Sequence, residues 1–86
     1  MKIFLQRNFK KQYGKLTPGQ QKRFRERRDL FVENPFHPIL NNHHLLGKYK
    51  GFRSINVTGD LRIIFEELDD KKVVFHIIDT HSNLYR

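Results

Sequence analysis

RSINVTGDLRIIFEELDDKKVVFHIIDT, residues 53–80, is the stretch from which the fold can be read. Three apolar runs are separated by two turns. Arg53–Val57 alternates, with Ile55 and Val57 on one face and Ser54 and Asn56 on the other; this period of two marks a half-buried strand. Thr58-Gly59-Asp60 reads as a turn. Leu61–Leu68 then sets Leu61, Ile63 and Phe65 against Arg62, Ile64 and Glu66. Leu68-Asp69-Asp70-Lys71-Lys72 makes a second, charged turn, and Val73–Thr80 is a third long strand.

Upstream the period changes. Lys2–Gln6 is a short apolar run bounded by charge, and it suits a first strand. Asn8 is placed to cap a short helix, with Phe9 and Tyr13 four apart on one face and Gly14 as a stop. Thr17-Pro18-Gly19-Gln20 is a clear helix start: Thr caps, Pro takes the first helical position, and Gln closes a capping box. That helix is expected to run to about Glu33, because Asn34-Pro35 ends it. Phe24, Leu30 and Phe31 form its narrow apolar stripe. Residues 35–42 are a loop held by two prolines. Strand, helix, helix and three hairpin-linked strands predict one α+β domain over residues 1–86, a small twisted, mainly antiparallel sheet with two N-terminal helices on one face.

Composition narrows the function classes. The chain has 86 residues and no cysteine, which excludes a disulfide framework and thiolate metal sites. A small disulfide-free chain suits a reducing cytoplasm. The opening MKIFLQRNFKK has an apolar run of only three residues, so it reads as a strand rather than a leader or membrane span. The formal charge is +8, and residues 1–28 hold ten of the seventeen Lys and Arg but only one acid, Glu26. Such asymmetry favours a polyanionic partner, nucleic acid above all, against the plainer reading of a generically basic soluble protein. Lys10, Lys11, Lys15, Lys22, Arg23 and Arg25 are the candidate RNA-binding side chains, although a charge run on a helix is as often only a solvated face.

Candidate chemistry gathers in and after residues 42–60, NHHLLGKYKGFRSINVTGD. His76 sits inside an apolar strand and reads as structural, and His37 as a loop residue. His43, His44 and His81 remain, at strand ends that hairpins can bring near Asn56 and Asp60. Zinc would need three ligands, for which His43, His81 and Asp60 are the candidates, but no H-x-x-x-H or H-x-H pair is present. No metal and no cofactor are therefore expected. Metal-free cleavage of RNA fits the same residues better. Attack by a 2′-OH on its neighbouring phosphate needs a base, an acid and a cation for the charge on phosphorus. Histidine serves either proton role, its unperturbed pKa being about 6.5, and arginine binds phosphate through a bidentate fork. His43, Asp60, His81 and Arg62 supply that inventory.

Three runs also resemble a known family: H-x-L-x-G-x-Y-K-G-x-R at His43–Arg53, V-x-x-D at Val57–Asp60, and T-H-x-x-L-Y at Thr80–Tyr85. Together they are similar to the YafQ branch of RelE-type toxins, mRNA interferases of type II toxin–antitoxin pairs that cut translated mRNA on the ribosome. The N-terminal half agrees in its strand–helix–helix layout. The resemblance implies a RelE-like fold, an endoribonuclease activity, and His43, Asp60 and His81 as catalytic residues. Tyr85 would match the aromatic that positions the substrate, and Arg62 the phosphate-binding arginine of the wider superfamily. Lys48, Lys50 and Arg53 of the glycine-bearing segment join them as candidate phosphate contacts. Where some relatives carry a second histidine this chain has Asn56, which cannot take up a proton but could orient the substrate, so the division of acid and base roles stays open. The implied partners are a cognate antitoxin, the ribosome and mRNA, with a hetero-oligomer of toxin and antitoxin binding operator DNA. Two other classes remain: a non-catalytic basic nucleic-acid-binding module of the same fold, and a ParE-like toxin acting on a protein target. The latter would not require the His43–Asp60–His81 set.

Overall fold

In the computed structural model, which describes residues 1–85, a five-stranded sheet carries two helices on one face. The chain opens with β1 (Lys2–Leu5), α1 (Arg7–Gly14) and α2 (Pro18–Glu33). After a 3-10 turn at Pro38–Leu40 come β2 (His43–His44), a second 3-10 turn at Gly47–Tyr49, and β3 (Arg53–Asn56). The meander closes with β4 (Leu61–Asp69) and β5 (Lys72–Thr80), and α3 (His81–Leu84) follows at once. The sheet order is β1-β5-β4-β3-β2, with β1 parallel to β5 and all other pairs antiparallel. The α+β class agrees with the sequence. Strand β2 and helix α3 add to it, and both are too short to leave a periodic signal.

The core follows the alternation of the meander. Ile55 and Val57, Leu61, Ile63 and Phe65, and Val73, Phe75 and Ile78 all turn to the helices and meet Phe9, Phe24 and Phe31. Phe75 is the hub. Its ring centroid lies 5.7 Å from Phe9, 5.8 Å from Phe31, 6.0 Å from Phe65 and 6.3 Å from Phe24. These tilted and edge-on contacts are the arrangements that aromatic quadrupoles favour.

Strict alternation from Phe75 would turn Ile78 outward, yet Ile78 is 1% exposed in the core. A register shift resolves the conflict. Ile64 pairs with Ile77 and Phe65 with Phe75, so His76 is an extra residue without a partner on β4. A β-bulge of this kind re-aims side chains. It leaves both His76 and Ile77 on the sheet face away from the helices and returns Ile78 to the core.

The start of α2 is a local decision, and that of α1 differs from expectation. Helix α2 has its capping box: Thr17 Oγ1 accepts from the Gln20 amide at 3.1 Å and Gln20 Oε1 from the Thr17 amide at 2.9 Å. Thr17→Ala is expected to lower stability by about 1 kcal/mol, read as a shifted urea midpoint with unchanged slope. Helix α1, by contrast, is not capped by Asn8. Its N-cap is Gln6, whose amide still donates to the Phe75 carbonyl at 3.1 Å as the last rung beyond β1. The chain therefore passes from strand into helix with no loop, and Asn8 lies inside the first turn. No described helix is long and apolar enough to cross a membrane.

Candidate active site

The helix-free face of the sheet carries the second set of alternating side chains. Here β3 offers Ser54 and Asn56, and β4 offers Arg62 and Ile64, in the register Ser54↔Ile64 and Asn56↔Arg62. His43 on β2 pairs with Ser54, and α3 begins at His81 directly off β5. The consequence is a cavity of about 190 Å³ lined by Asn41, His43, Ser54, Arg62, His81 and Tyr85. Four residues singled out in the sequence, His43 on β2, Arg62 on β4, and His81 and Tyr85 at the two ends of α3, thus meet in one place. Next to it a smaller apolar cluster of Leu45, Ile64 and Leu84, with Tyr49, Phe52 and Ile77 packed against it, covers part of the same face.

Local backbone geometry orients each side chain. Asn41 is the only described non-glycine residue with positive φ, at 48°, a conformation Asn tolerates better than most residues. Its carbonyl lies 2.7 Å from His43 Nδ1. A carbonyl can only accept, so the proton sits on Nδ1, and in the neutral ring Nε2 carries the free lone pair. Arg62 is anchored through Nη1, which donates to the Thr58 carbonyl at 3.0 Å and the Gly59 carbonyl at 2.8 Å. The β3–β4 turn thus holds its guanidinium at the cavity while the remaining N–H groups stay available for an anion.

His81 stands at the first position of α3, where its amide donates to the Asp60 carbonyl at 2.9 Å and Thr80 caps the turn through the Asn83 amide. Its ring meets Tyr85 in a tilted contact, with centroids 4.9 Å apart and planes at 45°. Tyr85 in turn meets Tyr49 edge-on at 6.0 Å and 89°. Burial raises the Tyr85 phenol above its usual 10.0, Tyr49 raises it further, and Arg62 pulls it back in part. The phenol therefore keeps its proton at neutral pH and can donate a hydrogen bond.

Not every candidate arrives. Asp60 is exposed on the β3–β4 turn and touches the site through its backbone carbonyl to His81, outside the cavity lining. Asn56 lies toward a neighbouring depression that includes Arg23, Arg27 and Gly59, and its Oδ1 is buried with no hydrogen-bond partner among the described residues. Arg53 is committed elsewhere: Nε donates to Asn42 Oδ1 at 2.8 Å, Nη1 lies 2.8 Å from His44 Nε2, and the guanidinium covers the Phe36 ring at 5.4 Å. Lys48 sits over Tyr49 at 5.2 Å, and Lys50 is exposed nearby; neither lines the cavity. Lys10 and Lys11 on α1, Lys15 at its C-cap, and Lys22, Arg23 and Arg25 on α2 are all exposed in the layer opposite the cavity. Among the described residues no three His, Asp or Glu side chains converge as a metal site. Asn41 and Ser54 are lining residues that the sequence did not single out, and Tyr49, which meets Tyr85, entered only as a position of the family motif. For Asn41 the Asn41-Asn42 pair carried a signal, since Asn is favoured where φ is positive.

Fold and site together define a RelE-like toxin domain. The chain belongs to the YafQ family of bacterial toxins from type II toxin–antitoxin systems, which it matches over residues 1–86. It is similar to YafQ from E. coli strain BL21(DE3), with 25% identity, a TM-score of 0.78, and coverage of 98% of this chain and 97% of that one. The YafQ chain of the E. coli DinJ-YafQ toxin-antitoxin complex gives 25% identity, a TM-score of 0.75 and coverages of 98% and 96%. A YoeB/ParE toxin from Agrobacterium tumefaciens shares the fold at 15% identity and a TM-score of 0.74, covering 94% of this chain and 99% of that one. No curated protein sequence matches the chain.

Proposed function

We propose that this toxin is a ribosome-dependent endoribonuclease that cuts mRNA by metal-free acid–base chemistry in the His43–His81 cavity. The observation that carries the reading is that two histidines, an anchored arginine and a protonated tyrosine line one cavity of polar character. His43 Nε2, bare because Nδ1–H is spent on the Asn41 carbonyl, takes the 2′-OH proton. The 2′-oxygen then forms a bond to phosphorus as the bond to the 5′-oxygen breaks. His81 supplies the proton to that leaving oxygen, and the products are a 2′,3′-cyclic phosphate and a free 5′-OH.

The sheet order supports this division of roles. His43 is on β2 and His81 follows β5, so two strands lie between them; their backbones are about 14 Å apart at ordinary strand spacing. Side chains reaching inward from both sides flank a phosphate, as in-line attack and departure require. Arg62 holds the phosphoryl oxygens between them. Asp60 acts at the rim, and Asn56, outside the cavity lining, takes no proton. Tyr85 packs a base and donates its phenol proton to a hydrogen bond.

The partners follow from charge and family. A cognate antitoxin holds the toxin inactive, as DinJ pairs with YafQ in E. coli, and an acidic, partly disordered chain folding over the basic helices fits the +8 charge. The pair can then bind operator DNA. The site of action is the cytoplasm, on translating ribosomes. Primer extension on mRNA in a translating extract tests the enzyme reading: new 5′ ends should appear only with the toxin and should persist with a zinc-selective chelator that leaves the ribosomes' Mg²⁺ in place. An unchanged pattern of ends would overturn it in favour of a binding module.

The basic helical face predicts its own signature. Ribosome affinity should fall steeply with salt, since each neutralised phosphate releases counterion. Changing Lys10, Lys22 and Arg25 to Glu should reduce that slope by about one unit per lost contact. A flat salt dependence in a filter-binding assay would remove ribosomal RNA from the account of this surface.

A further inference from the structure

We propose a second nucleobase subsite, beside the catalytic cavity and on the same sheet face, formed by Tyr49, Phe52 and His76 with Gln6 and Asn8 at its edge. The proposal rests on the endoribonuclease reading and extends it to how the mRNA strand is held. The subsite is a cleft of about 240 Å³ that also includes Ile77, and its existence depends on the β5 bulge. Without the extra residue, His76 and Ile77 would point to opposite faces; with it, both line the cleft.

Its walls have the chemistry of a base site. Phe52 and His76 stand edge to face at 5.2 Å and 80°, which leaves aromatic surface for a flat ring. His76 Nε2 lies 3.1 Å from Glu66 Oε1. A carboxylate accepts, so Nε2 carries the proton and Nδ1 is the acceptor of the neutral ring. The Gln6 and Asn8 side chains are exposed and make no hydrogen bond among the described residues, so both amides remain free to read a base edge. Among the described residues no Lys or Arg lines the cleft, and Glu66 stands beside it. That lining favours an uncharged base over a phosphate, in contrast to the Arg62 cavity.

Continuity joins the two sites. Tyr49 lines the cleft and touches Tyr85 of the catalytic cavity at 6.0 Å. The aromatic row His81–Tyr85–Tyr49, followed by the Phe52–His76 pair, thus runs from the reacting phosphate to the cleft. Lys48, over the Tyr49 ring, is placed to meet the backbone phosphate between the two bases. Aromatic platforms with cations along the strand are how proteins commonly hold single-stranded RNA.

The test uses the full chain and a short RNA with a 2′-deoxy sugar at the scissile position, so that nothing is cut. Affinity is measured by fluorescence anisotropy for this RNA and for versions made abasic at one nucleotide at a time. Loss of a base stacked on the Phe52–His76 pair should weaken binding roughly 5- to 150-fold. In Phe52→Leu, which keeps apolar packing but removes the ring, the same abasic change should have no further effect. Asn8→Ala, on an exposed side chain, should alter which base is preferred at that nucleotide. Equal abasic losses in parent and Phe52→Leu, or no loss in either, would overturn the subsite; an antitoxin side chain seated there instead would give the second result. Cleavage in the translating extract is scored separately. If the parent does not cut while the abasic pattern holds, the enzyme reading fails and the base subsite stands.

Discussion

His43→Ala and His81→Ala should each lower mRNA cleavage by about 10²–10⁴-fold, the usual contribution of one positioned proton-transfer group. Folding should be unaffected. His43 and His81 are exposed residues at the ends of short elements, and neither belongs to the buried core. The loss should therefore appear in the cleavage step with ribosome binding retained, measured as the rate of new 5′ ends at saturating toxin. Asn41→Ala tests the tautomer argument, because a residue less tolerant of positive φ disturbs the carbonyl that orients His43. It should lower cleavage less than His43→Ala does. Asp60→Asn separates a carboxylate role from the backbone contact to His81. A large loss means the carboxylate takes part in proton transfer, and a small one leaves that work to the two histidines. Asn56→His reintroduces a titratable ring, and a gain in rate would identify the natural chain as an attenuated enzyme. The acid–base reading would be falsified if all these variants cut at the parent rate.

Phe75→Ala should be the most damaging change away from the site. Phe75 is fully buried and meets four other rings, so truncation removes apolar contact and leaves a cavity that the sheet cannot close. Changes of this kind cost about 3–5 kcal/mol, against a total stability of about 5–15 kcal/mol for a typical domain. For a chain of this size the melting temperature should drop by on the order of 20 °C. Differential scanning calorimetry reads it directly. A drop of only a few degrees would mean that the ring cluster repacks, and that the core lies elsewhere than the aromatic hub. Cleavage at low temperature should survive in the folded fraction, since Phe75 faces the helices and the site lies on the other side of the sheet.

Much of this protein was legible in its residues because the signals are local. Alternation set the three meander strands, Thr17 through Gln20 set the start of α2, and Asn34-Pro35 set its end. Each depends on neighbours a few residues apart, where propensity and capping act. The residue types of the proposed site were legible too, since the inventory of His43, Asp60, His81 and Arg62 needs no coordinates, with Tyr85 added by the family resemblance. That Asp60 stays outside the cavity lining was not legible. Long-range pairing was not. The sequence could not tell that Gln6 would hold a last rung to Phe75 and so move the cap of α1 off Asn8. Nor could it tell that β4 and β5 would slip by one residue, turning His76 and Ile77 outward together. A register shift is decided by which pairing buries Ile78, and that balance exists only once the helices are in place. Arg53 and Arg62 show the same division within the site. Both looked like phosphate ligands. Strand parity and the partners Asn42, His44 and Phe36 took Arg53 away from the cavity, while the turn carbonyls at Thr58 and Gly59 fixed Arg62 beside it.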